Sequence, residues 1–93
     1  MKKPAAIGII GDFDKTYLSH VATNEAISHA AKSLKINVKV EWVPTVSFTK
    51  GMVKRAISKY DGIIASDSPY KSIIGMIKAI RAAREMNLPF IGT

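Results

Sequence analysis

The sequence predicts an α/β fold, a parallel sheet with helices on both faces. Three observations predict it. Short apolar runs alternate with longer segments of helical period in the order β-α-β-α-β-α-β, the connections are long enough for crossovers, and glycine, proline or aspartate punctuates the ends of the runs. Ala5 to Gly11 is a continuous apolar run closed by glycine, the pattern of a strand buried on both faces. From Ser19 to Lys35, Val21, Ile27, Ala30, Ala31 and Leu34 recur at helical spacing among good helix formers. Ile36 to Val43 alternates apolar with polar residues and stops at Pro44, which marks a strand with one polar face at a sheet edge.

Met52, Val53, Ala56, Ile57 and Tyr60 fit a short helix, and Asp61-Gly62 leads into a third, fully apolar strand, Ile63-Ile64-Ala65. From Ser72 to Met86, Ile73, Met76, Ile77, Ile80 and Ala83 form one apolar stripe, with Asn87 as the C-cap. Pro89 to Gly92 begins a fourth strand. Fully apolar first and third strands belong at the sheet centre, so right-handed crossovers imply a flavodoxin-like order 2-1-3-4. Ligands bind such sheets at the carboxyl ends of the strands. Three segments meet there: Gly11-Asp12-Phe13-Asp14, Ser66 to Tyr70, and Gly92-Thr93.

A chain of 93 residues, 47% hydrophobic and 23% charged, has material for one core and no room for a second; residues 1–93 read as one unit, a single small domain or part of a larger one. No apolar stretch approaches the ~20 residues of a membrane span, and Met1-Lys2-Lys3 lacks the features of a secretory signal, so the expectation is a soluble cytoplasmic protein without a membrane partner. The absence of cysteine excludes disulfides, thiolate metal sites and a cysteine nucleophile within these residues. Fourteen Lys and Arg against seven Asp and Glu give a net charge of +7. The positives are spread as Lys32/Lys35/Lys39, Lys50/Lys54/Arg55/Lys59 and Lys78/Arg81/Arg84 without interleaved aromatics, which reads as solvated helix faces and not as a nucleic-acid site.

Asp12-Phe13-Asp14-Lys15-Thr16 after an apolar strand resembles the first motif of haloacid-dehalogenase-type phosphohydrolases, in which the first Asp is the nucleophile and the second an acid/base beside magnesium. The competing reading makes Asp12 and Asp14 turn residues that bind local amides. Ser66-Asp67-Ser68-Pro69-Tyr70 precedes a helix, where backbone N–H groups can hold a carboxylate, phosphate or oxyanion. The alternative there is ordinary capping, with Ser68 as N-cap and Pro69 first in the helix. His20 and His29, nine residues apart on a helix, fall on opposite faces and do not form a metal pair. No metal or cofactor is expected. A small flavodoxin-like module that binds an anion or another protein stays open as an alternative at this level, beside a magnesium-dependent phosphohydrolase acting through Asp12 and Asp14.

Taken together, Ile7 to Asp12, the Ser19-His20 to Ala26 block, Val40-Glu41-Trp42-Val43-Pro44-Thr45, Tyr60-Asp61-Gly62-Ile63, Ser68-Pro69-Tyr70-Lys71-Ser72 and Pro89 to Thr93 resemble one family, the class I glutamine amidotransferase domain of CTP synthases. The resemblance implies glutamine as substrate, hydrolysed through a Cys-His-Glu triad, with the ammonia passed to an acceptor such as UTP. It implies that the nucleophilic Cys would follow Gly92-Thr93, so these residues hold no member of the triad and are inactive alone. It places Asp67, Ser68, Pro69, Tyr70 and Gly92 at the oxyanion and substrate loops, and Gly11, Asp12 and Asp14 in the loop after the first strand. Ser66-Asp67 stand where the family has Pro-Gly; a carboxylate beside a developing oxyanion opposes it, which implies a weakened or non-catalytic relative. Ending at a fourth strand leaves an open sheet side, suited to a homodimer or a complementing chain.

Overall fold

A computed structural model of the chain describes residues 4–48, 53–66 and 70–92. In chain order these form β1 (Ala5–Ile10), α1 (Leu18–Leu34), β2 (Val38–Val43), a 3-10 turn (Thr45–Phe48), α2 (Val53–Ile57), β3 (Gly62–Ala65), α3 (Ile73–Glu85) and β4 (Phe90–Gly92). The four strands make one sheet in the order β2-β1-β3-β4, and every pairing is parallel. This is the flavodoxin-like arrangement expected, with the apolar β1 and β3 at the centre and the alternating β2 at an edge.

Alternation along the central strands divides the core. Ile10, Ile63 and Ala65 pack with Phe48, Ile57 and Tyr60 and with Met76, Ala79, Ala82 and Ala83 of α3. On the opposite face Ile7 and Ile64 look towards Ile27, Ala30, Ala31 and Leu34 of α1 across an apolar groove of about 200 Å³. The α1 side is open. Leu34 is 68% exposed, and the one fully buried residue of α1 is His20. The apolar face expected of this helix therefore exists but lines a groove instead of closing a core.

Helix α3 corrects a second expectation. Ile73 and Ile77, placed on its buried stripe by hydrophobicity, are 65% and 50% exposed, and the helix presents Gly75, Met76, Ala79, Ala82 and Ala83 to the core. Small side chains let a helix backbone lie close to a sheet, so the alanine face wins the interior although isoleucine is the more apolar residue. The helix also begins later than the capping reading placed it. Its N-cap is Ser72, whose Oγ accepts the Gly75 N–H at 3.0 Å, not Ser68.

Both long helices are followed by a left-handed residue. After α3 the C-cap is Met86, one residue before the Asn87 that the sequence reading assigned; Asn87 follows it with φ 56°, its N–H donating to Arg84 O while Leu88 N–H donates to Ala83 O. After α1 the same geometry falls on Lys35, φ 55°, with Ile36 N–H donating to Ala31 O. Asparagine tolerates this conformation; lysine pays for it with a Cβ crowded against its own carbonyl. Lys35→Gly is therefore expected to raise stability by about 0.5–1 kcal/mol, and Asn87→Gly by less, measured as shifts in the urea midpoint at constant m.

Candidate functional site

Parallel pairing brings the carboxyl ends of all four strands to one edge of the sheet, and Gly11, Ser66 and Gly92 follow from it. Gly11 directly succeeds β1, Ser66 directly succeeds β3, and Gly92 ends β4 opposite Ala65. Ser66 is buried, its N–H donates to Ile10 O at 3.0 Å, and its carbonyl accepts from the Tyr70 hydroxyl. Close approach explains the glycine beside it: a Cβ on Gly11 would lie 2.0 Å from Ser66 Oγ and 3.2 Å from the Trp42 ring. Of the residues read from the sequence as site candidates, Gly11, Asp12, Asp14, Tyr70 and Gly92 are described. Asp67, Ser68 and Pro69 lie outside the described residues.

The two aspartates, indistinguishable in their local pattern, do different things. Asp14 is a turn residue: its Oδ1 accepts from Thr16 N at 2.8 Å and from Thr16 Oγ1 at 2.6 Å. Those bonds, the hydroxyl one foremost, hold its carboxyl below the ordinary range. Asp12 instead reaches across the edge of the sheet. Its Oδ1 accepts from Thr45 N at 3.1 Å, and its Oδ2 accepts from Thr45 Oγ1 at 2.8 Å and from Lys71 N at 2.7 Å. Partial burial pushes the Asp12 carboxyl up, and the Lys71 N–H with the two Thr45 donors more than reverses it, so the group lies below its usual range.

Thr45 is the residue that sequence reasoning missed. It is fully buried, donates its hydroxyl to Asp12, and accepts the Ser72 N–H on the same oxygen at 2.9 Å. Asp12 and Thr45 together clamp the β1 loop, the 3-10 turn after β2 and the entry to α3. Such a knot joins residues 33 and 27 positions apart, and no periodicity announces it. The available signal was positional: Thr45 follows the proline that stops β2, at the same sheet edge as the loops already chosen.

A second cluster adjoins the first. Buried His20 lies among the rings of Phe13, Tyr17 and Trp42, at centroid distances of 6.2, 5.4 and 5.1 Å, and its Nδ1 accepts the Asp14 N–H at 3.1 Å. Trp42 Nε1 donates to Asn24 Oδ1 at 2.7 Å, which ties β2 to α1. His29 is exposed on the far side of α1. Among the described residues no group of three or more His, Asp or Glu is placed to hold a metal ion.

This geometry bears on the two local readings. Both Asp12 oxygens are occupied by three internal donors, so the residue works as a tie between loops and not as an open nucleophile. The N–H groups of Ser66, Lys71 and Ser72, at the flanks of the β3–α3 loop, are likewise committed to Ile10, Asp12 and Thr45.

Comparison with known proteins adds what the geometry cannot. The chain is 31% identical over 87 residues to the CTP synthase of Clostridium acetobutylicum, a match covering 92% of this chain and 16% of that protein. It is 30% identical over 93 residues to the CTP synthase of Bacillus mycoides and 28% over 93 residues to that of Bacillus subtilis, in both cases covering 99% of this chain and 17% of the relative. The chain is related to the CTP synthases. No family model matches it. This CTP synthase-related chain spans about one sixth of the length of the relatives it matches, and the match runs through β1 to β4, the elements that build the loop-bearing sheet edge. Among the described residues no helix is long and apolar enough to cross a membrane.

Proposed function

We propose that the chain is the amino-terminal portion of a CTP synthase-like class I glutamine amidotransferase domain, the part that builds the sheet and the loops flanking the glutamine site. In the family reaction water replaces the side-chain amide nitrogen of glutamine, and the ammonia released aminates an acceptor such as UTP. The observation that carries the proposal is the match to CTP synthases over 92–99% of the chain. The converging carboxyl ends of β1, β3 and β4 support it, because that is the edge where a parallel sheet presents a ligand. With no cysteine in 93 residues, the nucleophile must come from elsewhere, and the chain alone does not hydrolyse glutamine.

A chimera tests this. Residues 1–93 replace the matched segment of the Bacillus mycoides CTP synthase, and glutamine-dependent CTP formation is measured beside ammonia-dependent formation as a control for the rest of the enzyme. Glutamine-dependent activity is expected to persist at a reduced level and to rise about tenfold or more in Asp67→Gly, because the resemblance sets this aspartate at the family's oxyanion loop, where a carboxylate opposes the developing charge. A chimera active with ammonia and inactive with glutamine, in both its native and Asp67→Gly forms, rejects the proposal. So does glutamate release above buffer by the purified 93-residue chain, which would require a nucleophile of another kind.

A further inference from the structure

We propose that His20 is a proton-operated latch on the loop between β1 and α1: the neutral imidazole holds the Asp14 N–H, and the imidazolium releases it. His20 is fully buried in the first turn of α1, and its Nδ1 lies 3.1 Å from the Asp14 nitrogen. A backbone N–H can only donate, so Nδ1 is the acceptor and the ring's own proton sits on Nε2. The Tyr17 side chain makes no capping bond to α1. The turn before the helix is closed by the Tyr17 N–H on Asp14 O at 3.0 Å, and His20 reaches back over that turn to its first residue. The bond therefore fastens the turn to the helix, two residues from Asp12, which ties the same loop to Thr45 and Lys71.

Protonation puts a second N–H on the ring, at Nδ1 and facing the Asp14 N–H, and two donors cannot share one hydrogen bond. The charge also stands at the amino end of α1, where the helix dipole opposes a cation. The other surroundings tolerate it. The Tyr17 and Trp42 rings, at centroid distances of 5.4 and 5.1 Å, are within cation–π range. From the loop, the Asp14 carboxylate and the ring act on one another electrostatically, and Lys71 acts on the same carboxylate. Asn24, one turn along α1, is neutral and accepts from Trp42 Nε1. Both Thr16 bonds to Asp14 end on Oδ1, so Oδ2 is the oxygen that accepts the imidazolium N–H once the loop turns. The cation is thus held in place while the loop bond is lost. The response is a local opening at the sheet edge and not an unfolding, since the main core of Ile10, Ile63 and the α3 alanines does not include His20. This inference goes beyond the amidotransferase reading and does not depend on it.

The isotope-labelled chain is taken from about pH 8 to about pH 5, with the His20 ring nitrogens and the backbone amides followed by NMR. At the upper end the ring is expected as the Nε2–H tautomer. As it protonates, the Asp14 amide is expected to lose protection from exchange at least about tenfold, in step with the ring, while Ile9 and Ile64 in the central strands keep theirs. His29, exposed on α1, is the control, and His29→Gln leaves the transition in place. His20→Asn, whose Oδ1 can take the Asp14 N–H and does not titrate, is expected to abolish it; the parent titration decides the matter even where that variant does not fold. A ring with its proton on Nδ1 at the upper end, a ring that takes up no proton across the range, or an Asp14 amide indifferent to ring protonation would overturn the proposal. So would a transition that persists in His20→Asn, or one in which Ile9 and Ile64 lose protection together with Asp14, which is acid unfolding of the whole chain.

Discussion

Gly75→Ala is expected to destabilise the chain by about 3 kcal/mol or more, although alanine is the better helix former by ~1 kcal/mol. The added Cβ would stand 1.8 Å from the carbonyl oxygen of Thr45 and 2.8 Å from its carbonyl carbon. Both are backbone atoms, so no rotamer change relieves the clash. Either α3 or the 3-10 turn must retreat by more than an ångström, and the movement pulls Thr45 from Asp12 and Ser72, whose bonds to it are 2.8 and 2.9 Å long. The propensity gain is local and fixed; the steric term grows with every atom displaced and adds the loss of two buried hydrogen bonds, each worth ~1 kcal/mol. For a domain of this size the loss corresponds to a fall in Tm of more than about 12 °C in calorimetry. Gly92→Ala serves as comparison, since its Cβ would meet Phe90 at an ordinary 3.5 Å, and a change within ~0.5 kcal/mol is expected there. A Gly75→Ala protein as stable as the parent would mean that the turn does not lie against α3.

That glycine shows which parts of the molecule were legible in the sequence. The strands were, because buried parallel strands are written as unbroken apolar runs: Ile7 to Ile10 and Ile63 to Ala65 could be ordered as central before any coordinates. The 3-10 turn was not. Thr45 to Phe48 has no period to detect, yet it supplies two fully buried residues, and the glycine that accommodates it lies in a helix 30 residues away. Periodicity located α3 but turned it, since a hydropathy ranking puts Ile73 and Ile77 inside where the packing distance demands Ala79 and Ala83. In α1 the opposite occurred: the residue the helix buries most deeply is the polar His20, held by three aromatic rings, two from the segment between β1 and α1 and one from β2. The candidate site was legible as a sheet edge, because topology fixes which loops meet. Which side chains cross between those loops was not, because Asp14 bonds within its own turn to Thr16 while the partners of Asp12, Thr45 and Lys71, lie 33 and 59 positions away.

Asp12→Asn should cost about 2–4 kcal/mol at neutral pH, and the cost should shrink as the solution is acidified. An asparagine can retain one acceptor oxygen, but its NH2 group would face donors, either the Thr45 N–H or the Thr45 hydroxyl with the Lys71 N–H. At least one N–H loses its acceptor in a partly buried site, and the charge that strengthened the remaining bonds is gone. The pH dependence follows from the lowered pKa of the native carboxyl. Its contribution to stability is complete above the unfolded-state value near 3.8 and is lost as the pH falls through the lower folded-state value, where the native and unfolded chains bind the same proton. Asp14, also lowered, titrates in the same window in both proteins and cancels from their difference. Urea unfolding of the two proteins at pH 7 and at about pH 3 therefore separates the clamp from general acid sensitivity. Amide exchange at Lys71 and Ser72 locates it, since both N–H groups should exchange faster in Asp12→Asn than those of Ile9 and Ile63, which sit in the central strands. A stability difference that stays constant down to pH 3, or Lys71 and Ser72 amides no less protected than in the parent, would show that the Asp12 carboxylate does not hold these loops together.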